Sequence, residues 1–222
     1  MRTILLMLSL SMARTDGPLR ILCLGAHSDD IEIGCGGTLL RLLSEHPGAE
    51  VHWVVFSAGE AREREARASA ADFLGGASAT TVTVKRFRES YFPSVWADIK
   101  DFFEDVRREV NPDVVFCHRS RDLHQDHRVV GELTWNTFRN HLILEYEITK
   151  YEGDLGTPNV YVPLTSAQAD RKVELLMHHF ASQRSRGWFR PSTFQGIMSI
   201  RGIECNAPDG RAEAFHARKI VI

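Results

Sequence analysis

The sequence predicts a doubly wound α/β fold, a mostly parallel, Rossmann-like sheet in one domain with helices on both faces. Three observations carry that reading. Short apolar runs of strand length alternate with segments of helical period, the joints fall at Gly, Pro and Asn, and 222 residues suit one full-sized domain. Alternation of this kind implies parallel strands joined by right-handed helical crossovers.

Residues 19–26 (LRILCLGA) form a nearly continuous apolar run, the pattern of a strand buried on both faces. Residues 31–43 carry Leu39, Leu40, Leu42 and Leu43 and stop at His46-Pro47-Gly48, so they read as a helix closed by a breaker pair. A second strand, 50–56 (EVHWVVF), is followed by a helix over 60–74. That helix is rich in Ala, Arg and Glu at i,i+3 and i,i+4 spacing and ends at Gly75-Gly76. Residues 80–85 (TTVTVK) are the third strand. Val95, Ile99, Phe102, Phe103 and Val106 define a helix over 94–110, and after Asn111-Pro112-Asp113 comes a fourth strand, 114–117. Helix 126–140, strand 144–149 and helix 167–183 are expected next, whereas the last forty residues are mixed. Residues 1–18 read as an appendage, an over-extended start or a signal, because Ser9 and Ser11 interrupt the apolar opening and Met12 begins a plausible shorter chain. Residues 19–222 are then the domain.

Composition excludes several function classes. Hydrophobic residues at 43% and charged residues at 25% are ordinary for a folded globular chain, and no run approaches the roughly 20 apolar residues of a membrane span. Lys+Arg 27 against Asp+Glu 29 gives a net charge of −2, with the two signs interleaved, so no nucleic-acid surface is implied. The four cysteines form no C-x-x-C pair. They read as free thiols of a reducing, cytoplasmic compartment.

The chemistry gathers at the ends of strands one and four. Strand one runs into Gly25-Ala26-His27-Ser28-Asp29-Asp30, where a dinucleotide-binding unit would have G-x-G-x-x-G cradling a pyrophosphate. Two carboxylates there repel phosphate and favour a cation, and the glycines at 34, 36 and 37 are left to close helix packing. His27 and Asp30, three apart across a turn, converge on one ion and leave Asp29 as a spare carboxylate beside it. Helix capping by the two aspartates would explain neither His27 nor the second Asp. Strand four runs into a stretch holding His118, Asp122, His124, Asp126 and His127. In the strand order 3-2-1-4 both clusters meet at the switch-point crevice, where ligands bind in such sheets. Two nitrogen ligands and one oxygen ligand with an open position are the pattern of a catalytic zinc site, and the set also admits Fe²⁺ or another divalent ion. Arg62, on the rim after strand two, is read as a substrate-binding group beside its reading as a solvated helix charge. Glu145 and Glu147 alternate on a strand and are expected at the rim. Trp188 is read as a packing residue.

The run AHSDDIEIGCGGTL resembles the A-H-P-D-D signature of the PIG-L/LmbE-like zinc de-N-acetylases, and DLHQDH resembles their second signature, His-x-Asp-His after strand four. Weaker similarity runs through the SAGE loop at 57–60, Phe180-x-Ser182-Gln183 and Ala212-Glu213-Ala214-Phe215, so that it spans about residues 20–217. Ser28 departs from the pattern, where the family has Pro. The resemblance implies that His27, Asp30 and His127 bind zinc and that Asp29 is the general base. It also implies that His124 is a second catalytic histidine, with Asp126 expected as its orienting carboxylate and partner in the protonated state. It further implies hydrolysis of an N-acetyl or similar N-acyl group on an amino-sugar-containing small molecule. The alternatives are a metal-dependent amide or ester hydrolase of a non-sugar substrate, and a nucleotide-binding α/β module. A homo-oligomer is compatible with the sequence and not specified by it.

Overall fold

The computed structural model describes residues 8–12, 14 and 16–221. The expected start-site features over 1–18 fall partly outside these. Arg14, which is described, pairs with Asp113 at 2.8 Å. In chain order the elements are β1 (Arg20–Gly25), α1 (Asp30–Glu45), β2 (Glu50–Val55), α2 (Glu60–Phe73) and β3 (Ala79–Val84), then α3 (Trp96–Glu109), β4 (Val114–His118), α4 (Gln125–Thr137) and β5 (Leu142–Tyr146), and last β6 (Val160–Pro163), α5 (Ser166–His179), α6 (Pro191–Glu204) and β7 (Ala212–His216).

One sheet of order β3-β2-β1-β4-β5-β7-β6 results, parallel from β3 through β5 and antiparallel at β7. The near-continuous apolar runs are explained by burial on both faces. Ile21, Cys23, Val51, Trp53, Val114 and Phe116 pack into the core layer shared with α1, α2, α5 and α6, while Leu22, Leu24, Val54, Val115 and Cys117 pack into the layer under α3 and α4. Each such fully buried Val, Leu or Phe stabilises the fold by about 1.5–3 kcal/mol. Among the described residues no helix is long and apolar enough to cross a membrane.

Several boundaries differ from expectation. The first turn of the helix expected at 94 is a 3₁₀ segment, Phe92–Val95, with Pro93 inside it. The helix after β4 ends at Thr137 instead of 140, which leaves Arg139 and Asn140 to turn the chain, and β5 starts at Leu142, in register with Val114. The helix expected to reach 183 stops at His179, and residues 181–183 form a separate 3₁₀ turn. The mixed C-terminal region resolves into α6 and β7, and a short strand not expected from the sequence, β6, lies before α5 and pairs with β7 at the sheet edge.

The glycines of α1 serve close approach. A side-chain carbon at Gly34 would collide with the Tyr146 ring, and one at Gly36 would lie 2.7 Å from Phe73 Cε1. Further along the helix an ion pair is driven against the backbone: Lys172 Nζ donates to Ile33 O and to Glu213 Oε1, both at 2.6 Å, while Glu213 accepts from the amides of Gly37 and Thr38. Glu213 thus ties β7 and α5 to the helix that starts at the site. Both charges are almost fully buried, and removing one alone would strand the other. Replacing Gly34 by Ala is expected to destabilise the protein by about 1–3 kcal/mol through overpacking against Tyr146. The same change at Gly48, where nothing lies within 4 Å, should cost far less. Urea denaturation of the two variants measures the difference.

Candidate metal centre

The crevice between β1 and β4 is open because their crossovers leave in opposite directions, so the loops after both strands meet above the sheet. The turn after β1 presents His27, Asp29 and Asp30, all buried, with Asp29 preceding the first turn of α1 and making no side-chain cap to it. The end of β4 presents His118, the loop after it Asp122 and His124, and the first turn of α4 Asp126 and His127. The structure brings the expected groups together. His27 Nδ1 lies 3.2 Å from His127 Nε2 and 3.3 Å from Asp30 Oδ2, and His127 Nε2 lies 3.5 Å from Asp30 Oδ1. Ligands at 2.0–2.2 Å from a tetrahedral ion stand about 3.4 Å apart, close to each of these pairwise spacings, with Asp30 meeting the two histidines through different oxygens.

The hydrogen bonds behind these atoms decide which nitrogens face inward. His27 Nε2 lies 3.2 Å from Asp126 Oδ2, and His127 Nδ1 lies 3.1 Å from Asp122 Oδ2. Each carboxylate accepts a hydrogen bond from the ring N–H of its histidine and leaves the opposite nitrogen as a bare lone pair. Two lone pairs and a carboxylate, buried within 3.5 Å of one another, repel unless a cation stands among them. In a protein without the ion a proton takes that place. Burial would lower the pKa of His27, but the Asp30 charge and the hydrogen bonds His27 donates to Asp126 and Asp30 outweigh it and raise it to about 10. Burial and the neighbouring His118 depress that of His127 to about 3. The donor chemistry therefore fits a divalent metal.

Asp126 corrects one expectation. Its carboxylate is not the orienting partner of His124: Oδ2 serves His27 and accepts from Ser90 N at 2.6 Å, and Oδ1 accepts from Phe92 N at 3.1 Å. His124 is instead the N-cap of α4, its Nδ1 accepting from the Asp126 amide at 3.3 Å. That bond puts the ring proton on Nε2. Burial and the His27 charge hold the His124 pKa below the usual imidazole value, so His124 is neutral near pH 7 and not an imidazolium paired with Asp126.

Asp29 Oδ1 accepts from Arg62 Nη2 at 2.9 Å, so Arg62 is more than a solvated helix charge, and its side chain also lines the pocket over the site. Burial raises the Asp29 pKa to about 6, against the pull of Arg62. Three residues named in the sequence reading were given no role at the site there, although Trp188 does pack against the core as expected. His118 Nε2 lies 3.0 Å from Asp30 Oδ2, with its ring stacked on His127 at 3.9 Å. With Asp30 and His127 it forms a second group of close donor atoms, beside His27, His124 and His127. Asp122, which orients His127, is itself held by Lys150 Nζ at 3.1 Å. Trp188 lines the pocket over the site, a cavity of about 250 Å³ also walled by Glu89, Tyr151, Glu152 and Gln183. Glu145 and Glu147 turn away from this rim. Glu147 pairs with Arg201 at 2.8 Å, and Glu145 accepts from Trp135 Nε1 at 2.7 Å.

Fold and site together define a doubly wound α/β protein with a buried His/Asp metal-type centre at its switch point. Residues 22–138 match the PIG-L family model, described as GlcNAc-PI de-N-acetylase. The match spans more than half of the chain, and the chain belongs to the PIG-L family. No curated protein matches it by sequence. Among solved structures it is similar to the conserved protein TT1542 from Thermus thermophilus, at TM-score 0.73 and 19% identity over 92% of this chain and 96% of that one. It is also similar to the N,N'-diacetylchitobiose deacetylase from Pyrococcus horikoshii, at TM-score 0.66 and 20% identity over 89% of this chain and 83% of that one. A third neighbour is GalB, the 4-carboxy-2-hydroxymuconate hydratase from Pseudomonas putida KT2440, at TM-score 0.67 and 17% identity over 92% of this chain and 98% of that one.

The carboxylate behind His27 gives a direct prediction. Asp126→Ala should lower zinc affinity by roughly 10- to 100-fold in equilibrium dialysis, because the ring of His27 loses the partner that fixes its tautomer. Leu123→Ala, at an exposed position of the same loop, should leave affinity unchanged.

Proposed function

We propose that this protein is a metal-dependent de-N-acetylase that removes an N-acetyl, or similar N-acyl, group from an amino-sugar-containing small molecule. The observation that carries the proposal is the pair of histidine lone pairs facing the Asp30 carboxylate, with Asp29 buried beside them and outside that set. His27, Asp30 and His127 would hold the ion, for which zinc suits the two nitrogens and one oxygen. When bound, such an ion supplies Lewis acidity, lowering the pKa of water and polarising an amide carbonyl.

The remaining work falls to the chain. Asp29, raised to about 6, is mostly ionised at neutral pH and basic enough to take the proton of the attacking water. It then returns that proton to the leaving amine. Arg62 holds the Asp29 carboxylate in place and stops its pKa rising further. The His124 Nε2–H, fixed by the Asp126 amide, donates to the oxygen on which charge develops. Trp188 and Tyr151 offer apolar faces to a sugar ring, and Glu89, Glu152 and Gln183 offer partners for its hydroxyls. Four buried free cysteines support a cytoplasmic setting.

The hydratase among the structural neighbours favours a second reading, addition of activated water to a carbon–carbon double bond on the same centre. Metal-loaded protein incubated with N-acetylated sugars separates the two: the proposal expects equimolar acetate and free amine. Water addition to an unsaturated acid with no amine released from any sugar would favour the second.

Asp29→Asn should keep the metal yet lose a factor of roughly 10² to 10⁴ in turnover. Equal loss of metal in Asp29→Asn and Asp30→Asn would make Asp29 a ligand. The pH profile gives an independent check. Asp29 acts ionised, so kcat/KM should fall as pH drops through its pKa. In Arg62→Met, which removes a charge that lowers that pKa, the acid limb should move to higher pH. A limb that stays in place would separate Asp29 from the rate profile.

A further inference from the structure

A second concentration of polar side chains lies at the C-terminal end of β5, where β7 pairs with it. Arg119, Ser120 and Arg121 from the loop after β4, Glu145 from β5, His216 from β7 and Arg218 just beyond it line an open basin of about 450 Å³. It shares no lining residue with the pocket over the metal centre. Three guanidinium groups and a histidine face one carboxylate, in a chain whose net charge is −2. Positive charge gathered in one basin raises the local potential and attracts an anion.

The one carboxylate offsets only part of this charge, through its ion pair with Arg218. Glu145 is buried, and its Oε1 already accepts from Ser120 N at 3.2 Å, Trp135 Nε1 at 2.7 Å and Arg218 Nη2 at 3.3 Å. Arg218 is held in advance. Its guanidinium carbon stands 4.1 Å from the centre of the Trp135 ring and Nη2 donates to Ser120 Oγ at 2.6 Å, so Nε and Nη1 remain unengaged among the described residues. Arg119 uses only Nη1, toward Asp154 O at 3.3 Å. Arg121 is exposed and has no hydrogen bond or ion pair among the described residues. His216 Nε2 is buried without a hydrogen-bond partner, the Glu147 carboxylate being 3.9 Å away.

We propose that this basin is a second binding site, for a phosphate-type oxyanion, formed by Arg119, Arg121, His216 and Arg218. Planar forks approaching from several elements suit a tetrahedral dianion, which offers acceptors in several directions. A single carboxylate would engage one fork and leave the others unmet. Room for more than a bare ion admits a phosphate monoester as well as the free anion. The site does not depend on the activity proposed above.

The test uses metal-loaded, full-length protein and follows backbone amides by NMR during titration with sodium sulfate, then with glycerol phosphate as the ester. Saturable shifts at Ser120, Arg121 and Arg218 are expected with at least one probe. Response to sulfate alone would assign the free anion, and response to the ester would assign a phosphorylated molecule. Arg121→Ala combined with Arg218→Ala should weaken binding by about tenfold or more, the loss expected from two charge-assisted contacts. If the double variant does not fold, Arg121→Ala alone, at an exposed position, should still weaken binding measurably. Shifts confined to the metal-centre pocket, wild-type affinity in the variants, or no saturable response to either probe would overturn the proposal.

Discussion

Asp30 sits where the requirements of the site converge, and the geometry around it depends on keeping a buried carboxylate charged. Its Oδ2 accepts from the His27 amide at 2.6 Å and lies 3.0 Å from His118 Nε2, while Oδ1 faces His127. Burial would push its pKa up, yet His127, His118 and His27 together hold it well below the usual carboxylate value. A buried anion so surrounded fixes the start of α1, the turn after β1 and the end of β4 at once. The cost of an unpaired charge in this environment, several kcal/mol, is what makes the arrangement rigid.

From that point the support runs outward in pairs. Asp126 secures His27 and is itself held by the amides of Ser90 and Phe92, so the loop before α3 becomes part of the site although it carries no ligand. Asp122 secures His127 and is held by Lys150, which ties in the segment after β5. Arg62 secures Asp29 from α2. Each inward-facing group thus has a charged or amide partner on a different element, the arrangement expected where a few tenths of an ångström decide binding. The Lys172–Glu213 pair does the same for the middle of α1, clamping the helix that begins at Asp30.

Much of this was legible because it is local. A doubly buried strand writes itself as an apolar run, and His27-Ser28-Asp29-Asp30 lies at a strand end whatever the rest of the chain does. Alternation and handedness implied parallel strands, and the strand order 3-2-1-4 common to such sheets brought two distant clusters to one crevice. What stayed hidden depends on contacts between elements far apart in sequence. Nothing near Asp126 in the chain announces that its carboxylate reaches His27, 99 residues away, and adjacency to His124 pointed to the wrong partner. Asp122 and His118 were visible as residues, but their roles depend on stacking and on Lys150. Strand β6 is four residues ending in Pro163 at the sheet edge, too short for period-2 alternation to register. Trp188 lies outside helix and strand, in a region where pattern has little to say.

Whether His27, Asp30 and His127 form one ligand set with Asp29 outside it can be read from X-ray absorption spectroscopy on the zinc-loaded protein, combined with anomalous diffraction at the zinc edge. One ion per chain is expected, within about 2.0–2.2 Å of His27 Nδ1, an Asp30 carboxylate oxygen and His127 Nε2. An ion bound through His118 or Asp29 in place of His27 would refute that ligand set.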